Sequence, residues 1–153
     1  PWHGAVRRLR AGRVSTKMSF VVPQPENPCP CGSAAPFGSC CAPLLAGSLA
    51  TSPERLMRSR YTAFVVGDAE YLLATWHPGT RPDSLEPDPD TAWAGLEIVE
   101  VAGGNEGDKR GTVEFAASYR IAGASRVHVQ RERSRFVRQS DRWWYLDGIV
   151  TGE

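Results

Sequence analysis

No run of about 18 apolar residues occurs anywhere in this sequence, so length alone excludes a membrane-spanning helix. No N-terminal apolar stretch of signal-peptide type is present, which argues against ordinary secretion. A dominant charge is also lacking: eighteen Lys and Arg against seventeen Asp and Glu leave a net +1 at pH 7. Bulk electrostatics therefore draws the molecule neither to nucleic acid nor to an anionic membrane. Internal repeats are absent, as are a Gly-rich phosphate loop, a nucleophile elbow and a paired-carboxylate motif. The common enzyme signatures are missing, no catalytic residue is assigned, and the balance leans away from an enzyme. What is there, 153 residues at 41% apolar and 23% charged, suits one compact soluble domain with a real core, expected in the cytoplasm.

The first seventeen residues stand apart. They hold Arg7, Arg8, Arg10, Arg13 and Lys17 and no acid, so from Met18 onward thirteen bases face seventeen acids. A basic, Gly-containing segment without apolar periodicity buries too little to offset its ordering entropy. Residues 1–17 are expected to be a disordered basic segment, and Met18 sits where a natural start would lie. A phosphate-contacting arm is the alternative, and solvated charge is the simpler reading.

All four cysteines fall within thirteen residues, as Cys29-Pro30-Cys31, eight intervening residues, then Cys40-Cys41. Four thiolates close a tetrahedral shell around Zn²⁺ at about 2.3 Å each, and Gly32 and Gly38 supply turns that bring both pairs inward. A closed shell leaves no position for water or substrate, so this zinc is expected to be structural, with Cys29, Cys31, Cys40 and Cys41 as its ligands. Disulfides suit a reducing cytosol poorly, and adjacent cysteines bridge each other only under strain. Inert buried thiols and a redox switch are the other readings.

Downstream, Ser52 can cap a helix from Pro53 to about Val66, with Glu54 at its positive end and Gly67 as its stop. Its apolar face carries Leu56, Met57, Tyr61, Phe64 and Val65, and Arg60 falls among them. A guanidinium there needs a carboxylate or several carbonyls if it is buried. The other reading keeps its stem packed and its head in water. Asp68 can cap a second helix from Ala69 to about Trp76. The Pro-rich stretch from His77 to Asp90 then reads as a lid or as a rigid crossover. His77 can serve as an acid or base at a pocket mouth, but at a helix end it more often caps carbonyls.

Four strands follow, at about Trp93–Val101, Thr112–Ile121, Val127–Val137 and Trp143–Ile149. Helices first and consecutive hairpin-compatible strands after them argue an α+β fold with an antiparallel sheet. In the third strand Glu132, Ser134 and Phe136 share one face, and Arg131, Arg133 and Arg135 the other. The three arginines suit solvent or a phosphate-bearing partner, which makes Glu132 the inward carboxylate for Arg60. Asp147, taken to lie on the face of Trp143 and Tyr145, is the second. Trp76, Trp93, Trp143 and Trp144 are read as core before stacking platforms.

The cysteine block, Cys29-Pro30-Cys31-Gly32-Ser33 through Cys40-Cys41, resembles the SEC-C motif, a zinc element that also forms a docking tail on the SecA translocase. Four further stretches resemble the YchJ-like family of uncharacterised bacterial proteins: Leu56–Phe64, Thr75-Trp76-His77-Pro78, Glu132–Phe136 and Trp143–Gly148. That resemblance implies a cone-shaped domain similar to nuclear transport factor 2, helices on a curved antiparallel sheet enclosing a pocket. It divides the chain into 1–17, a zinc-binding element at 18–50 and the cone at 51–153. Two functions follow as expectations. One is an adaptor whose zinc element docks a protein or ribonucleoprotein partner. The other is a small polar ligand held in the cone by Arg60 and Glu132, with Tyr61, His77, Ser134, Phe136 and Asp147 as further pocket candidates. Nucleic acid contact through the arginine face is disfavoured by the net acidic remainder, no membrane partner is expected, and the oligomeric state is left open.

Overall fold

Ser52 starts the longest helix as its residue types dictate. Its Oγ accepts from the Arg55 N–H at 3.2 Å, Pro53 occupies the first turn, and Gly67 ends the helix with a left-handed φ of 75°. The computed structural model describes residues 6–7 and 20–152. Of the basic segment 1–17, only Val6 and Arg7 are among them, and the disorder expected for the rest lies outside the described residues. Val6–Arg7 forms β1, paired antiparallel with β2, Glu86–Pro87.

The described residues contribute α1 (Cys41–Leu45), α2 (Pro53–Val66) and α3 (Ala69–Ala74). They pack on an antiparallel sheet of β3 (Thr91–Gly103), β4 (Arg110–Ile121), β5 (His128–Gln139) and β6 (Arg142–Gly152), in that spatial order. The fold is therefore α+β, as expected, and each strand ends within three residues of its expected bounds. Ser140 and Asp141, with φ of 54° and 59°, make the two-residue turn whose twist suits the β5–β6 hairpin. Register shifts in β3 and between β5 and β6 bend the sheet.

α3 stops at Thr75, earlier than its apolar periodicity suggests. The Tyr145 N–H donates to the Thr75 carbonyl at 2.9 Å and the His77 N–H to the Tyr145 carbonyl at 2.7 Å. Pairing with the edge of β6 thus draws Trp76 out of the helix. The segment beyond is pinned as a crossover: Thr80 Oγ1 donates to the Leu146 carbonyl at 2.6 Å, and Leu85 is buried.

One continuous core joins the parts. Leu56, Met57, Tyr61 and Phe64 of α2 meet Val113, Phe115 and Ala117 of β4, Phe136 of β5, and Trp143 and Tyr145 of β6. Cys29, Cys31, Phe37, Cys40 and Cys41 belong to the same buried cluster. The cysteine element is therefore seated on the helical layer.

Candidate metal centre

The cysteine loops close through backbone hydrogen bonds that the intervening residues make possible. Gly32, at φ 78°, donates its N–H to the Cys29 carbonyl at 3.2 Å, and a 3-10 turn at Phe37–Ser39 delivers Cys40, whose N–H reaches the Phe37 carbonyl at 3.1 Å. Cys41 opens α1. The four Sγ atoms lie within 4.8 Å of one another, all are buried, and none is joined in a disulfide. The Cys31–Cys40 Sγ separation is 3.6 Å, against an edge of about 3.8 Å for a tetrahedron of four metal–thiolate bonds.

Cys29, Cys31 and Cys41 lie close enough to compete for protons. Hydrogen bonds from Cys29, then Cys41, hold Cys31 far below the ordinary thiol range, while Cys29, through its bond with Cys31, and Cys41, through its bond with Cys29, are pushed up. A divalent cation held by Cys29, Cys31, Cys40 and Cys41 would favour the thiolate form of its ligands. The donor set therefore fits a thiophilic metal in a closed shell, which would supply folding energy and no open position for chemistry.

α2 faces this cluster with a stripe that the sequence reading passed over. Arg55 Nη1 lies 3.4 Å from Cys40 Sγ and Nη2 donates to the Cys40 carbonyl at 3.1 Å. Arg58 Nη1 donates to the Cys31 carbonyl at 2.7 Å, and Thr62 Oγ1 lies 3.9 Å from Cys29 Sγ. Positions 55, 58 and 62 repeat at three and four residues, which places them on one helical face. That spacing was the available signal, masked because apolar periodicity draws attention to the opposite face. Ser33, 3.1 Å from Cys40 Sγ, completes the surroundings.

On its other face α2 buries Arg60 completely. Among the described residues the expected carboxylate contact is not made, and this corrects the sequence reading. Arg60 Nη1 donates to the Leu72 carbonyl and to Thr75 Oγ1, each at 2.7 Å. Its guanidinium stacks 4.3 Å from the Tyr145 ring centre and 5.3 Å from that of Trp76. Burial lowers its pKa to about 10. Glu132, also fully buried, acts from beyond Tyr145, whose hydroxyl donates to Glu132 Oε1 at 3.4 Å. Ser134 and Phe136 are buried on the same strand, the latter edge-on to Tyr145 at 5.8 Å, and Tyr61 packs edge-on to Trp93, also at 5.8 Å.

The other two pocket candidates lie elsewhere. His77 Nδ1 accepts from the Gly79 N–H at 3.0 Å, so Nε2 carries the proton toward Gln139 Oε1 at 2.8 Å, and both ring nitrogens are committed. Asp147 is on the outer face. A bulge between the pairs Phe136–Tyr145 and Arg135–Asp147 reverses the alternation assumed from sequence. Asp147 there accepts from Arg135 Nε at 2.6 Å and from Nη2, which holds its carboxyl below the ordinary range. Arg133 likewise meets Glu114 at 3.6 Å, so acids offset two of the three outward arginines. Described cavities of about 350, 650 and 380 Å³ lie at residues 44–50 with Trp143, at the 107–110 and 137–141 turns, and between Leu49 and Arg138. None of these three is lined by Arg60, Tyr61, Glu132, Ser134 or Phe136.

Residues 52–148 match the family described as YchJ, middle NTF2-like domain. The chain belongs to this family. A UPF0225 protein of Streptomyces coelicolor is 51% identical over 125 residues, covering 81% of this chain and 96% of that protein. A Xanthomonas oryzae UPF0225 protein is 48% identical over 125 residues, with coverages of 80% and 95%. The solution structure of a SEC-C motif containing protein from Rhodopseudomonas palustris is similar at a TM-score of 0.70 and 33% identity, across 81% of this chain and 98% of that one. A crystal structure of a sec-c motif containing protein from Psychrobacter arcticus follows at 0.67 and 26%, across 84% and 85%. The family and the SEC-C resemblance expected from the cysteine spacing are thus shown, and with them the NTF2-like fold. No helix among the described residues is long and apolar enough to cross a membrane.

Proposed function

We propose that this UPF0225 family member is a zinc-stabilised binding protein that docks a protein or ribonucleoprotein partner in the cytoplasm. The observation that carries this reading is the closed, buried set of four cysteines, a donor set that stabilises a surface and offers no open coordination position. Zinc is favoured among thiophilic metals because four thiolates in a tetrahedral arrangement suit it and a reducing compartment keeps them available. Beside the cluster, α1 and the following linker line the cavity of about 350 Å³ with Leu44, Leu45, Leu49 and Ala50, and Leu49 is 54% exposed. Such an apolar recess flanked by Arg142 and Glu70 suits a peptide anchor.

The test is a photo-crosslinking residue at Leu49 in zinc-loaded protein inside cells, compared with the same probe at Ile149 on the far side of the sheet. The expected result is a discrete adduct at Leu49 that is lost in the Cys40→Ser, Cys41→Ser variant. Equal labelling at both positions, or labelling indifferent to the cysteines, would overturn the docking reading.

A small polar ligand in the cone is the second reading. It is favoured by Arg60 Nε, Arg60 Nη2 and Ser134 Oγ, which are buried without hydrogen-bond partners. Thermal shifts by small carboxylates that vanish in Arg60→Met would support it, and shifts indifferent to that substitution would not. Nucleic acid ranks last, because Glu114 and Asp147 already occupy Arg133 and Arg135. Were it the partner, affinity would fall steeply with added salt.

A further inference from the structure

Metal-bound thiolates are sensitive to what surrounds them, and the two arginines of the α2 stripe meet the two halves of the cysteine motif differently. Arg58 takes only a backbone carbonyl, that of Cys31, and is itself held by Glu54 at 3.3 Å. Arg55 reaches a ligand sulfur, Cys40 Sγ, and with its second nitrogen the carbonyl of the same residue. Among the described residues it is the one guanidinium donating to a cysteine sulfur. The fork fixes Cys40 in two places at once: the carbonyl contact sets the backbone and the sulfur contact sets the side chain. A dication with four thiolates keeps two net negative charges, which in a buried site need positive charge or donors nearby. Arg55 supplies both.

We propose that Arg55 is a positioning residue of the metal centre, an outer hydrogen-bond donor that orients Cys40 and raises the affinity of the site for zinc. The inference rests on the zinc reading above and adds a residue outside the four-cysteine motif to the determinants of metal binding. It also makes α2, the helix that carries Arg60 into the core on its other side, the structural route between metal occupancy and the cone.

The experiment is a competition titration of the full chain against a chromophoric zinc chelator, for the native protein and for Arg55→Gln, Arg55→Lys and Arg58→Gln. The absorption of each protein's Co²⁺ form is recorded alongside. Arg55→Gln is expected to weaken zinc binding by about 10- to 100-fold, the range for loss of an outer-shell partner. Arg55→Lys should recover part of that loss, because it keeps the charge and loses the fork. The thiolate-to-cobalt charge-transfer band should move in Arg55→Gln and stay in place in Arg58→Gln, since of the two arginines only Arg55 touches a ligand sulfur. A change within about twofold in Arg55→Gln, or an unmoved band, overturns the role of Arg55. Should Arg55→Gln fail to fold, Arg55→Lys decides, with a loss of about threefold or more expected and a change within twofold contrary. Native protein that takes up no stoichiometric zinc would instead overturn the zinc reading itself.

Discussion

The guanidinium of Arg60 lies 4.3 Å over the ring of Tyr145, and the hydroxyl of that ring points to Glu132 Oε1 at 3.4 Å. A buried guanidinium and a buried carboxyl group are thus held apart by an aromatic ring. The arrangement offers the cation two neutral acceptors and two π-faces in place of a carboxylate, and it leaves Arg60 Nε and Nη2 without partners. Replacing such a group by an apolar isostere removes the desolvation cost along with the contacts, so the two nearly cancel. In urea titrations of metal-loaded protein, Arg60→Met should fall within about 1.5 kcal/mol of the native stability. Arg60→Ala, which empties the site, should cost about 3 kcal/mol or more. A loss in Arg60→Met as large as in Arg60→Ala would show that the charge itself is structurally required.

The buried tyrosines are expected to set the alkaline limit of the fold. Burial pushes Tyr61 up to about 12 from its ordinary 10.0, and moves Tyr145 and Tyr71 in the same direction. Between those values the unfolded chain has released phenolic protons that the folded chain still binds, so stability falls as pH rises. Arg60 acts oppositely over a similar range, because its pKa is lowered in the folded state and the unfolded chain is the one that retains its proton there. Three tyrosines against one arginine leave a net loss. Stability measured by denaturant titration should be level up to about pH 9.5 and decline above pH 10, with a visibly shallower decline in Tyr61→Phe. An identical pH slope in that variant would remove Tyr61 from the explanation.

The cysteine cluster and the fold class were legible because each rests on a local rule. Four cysteines at ligand spacing define the cluster, and Ser52, Pro53 and Gly67 bracket α2 with side-chain and φ preferences that need no tertiary information. Inward Glu132, Ser134 and Phe136 followed from strict alternation along β5. Asp147 did not, because the bulge that turns it toward Arg135 is a property of the β5–β6 pair and leaves no mark in β6 alone. The carbonyl and π partners of Arg60 escaped for a related reason. Leu72 and Thr75 offer acceptors only because α3 ends where β6 captures Thr75, a long-range event. Arg55, and the contact of Arg58 with the cysteine loop, were hidden by the helix's stronger apolar signal.

Because the cysteine cluster shares a core with α2, metal removal should be felt by the whole chain. Cys29, Cys31, Phe37, Cys40 and Cys41 are buried together with Leu56, Met57 and Tyr61, and Arg55 and Arg58 tie the same loops to the helix. Loss of even a few kcal/mol of metal binding lowers the melting temperature by about 2–4 °C per kcal/mol at this size. Heating followed by circular dichroism should show one cooperative transition that shifts down by about 10 °C or more after treatment with a strong chelator. Two separate transitions with the upper one unmoved would show that the cone folds independently and that the cysteine element is an appendage.

Gly148 is the position where a small change should have the largest effect on the buried carboxylate. A Cβ built there would overlap Glu132 Oε1, lie 2.8 Å from Glu132 Cδ and 3.1 Å from the Tyr145 hydroxyl. The carboxylate cannot swing clear cheaply, since Glu132 is fully buried and its oxygens are engaged by Tyr145 and, at 3.5 Å, by Gln130 Nε2. Overpacking of this kind costs about 1–3 kcal/mol, and displacing a buried carboxyl group from its donors adds to it. Gly148→Ala should therefore lose about 2 kcal/mol or more in denaturant titration. In the double variant Gly148→Ala, Glu132→Ala the added methyl occupies space vacated by the carboxylate. Its cost over Glu132→Ala alone should then drop below about 1 kcal/mol, a coupling that marks two groups in direct contact. Simple additivity would mean that the strain at Gly148 arises from the backbone and that Glu132 is free to move aside.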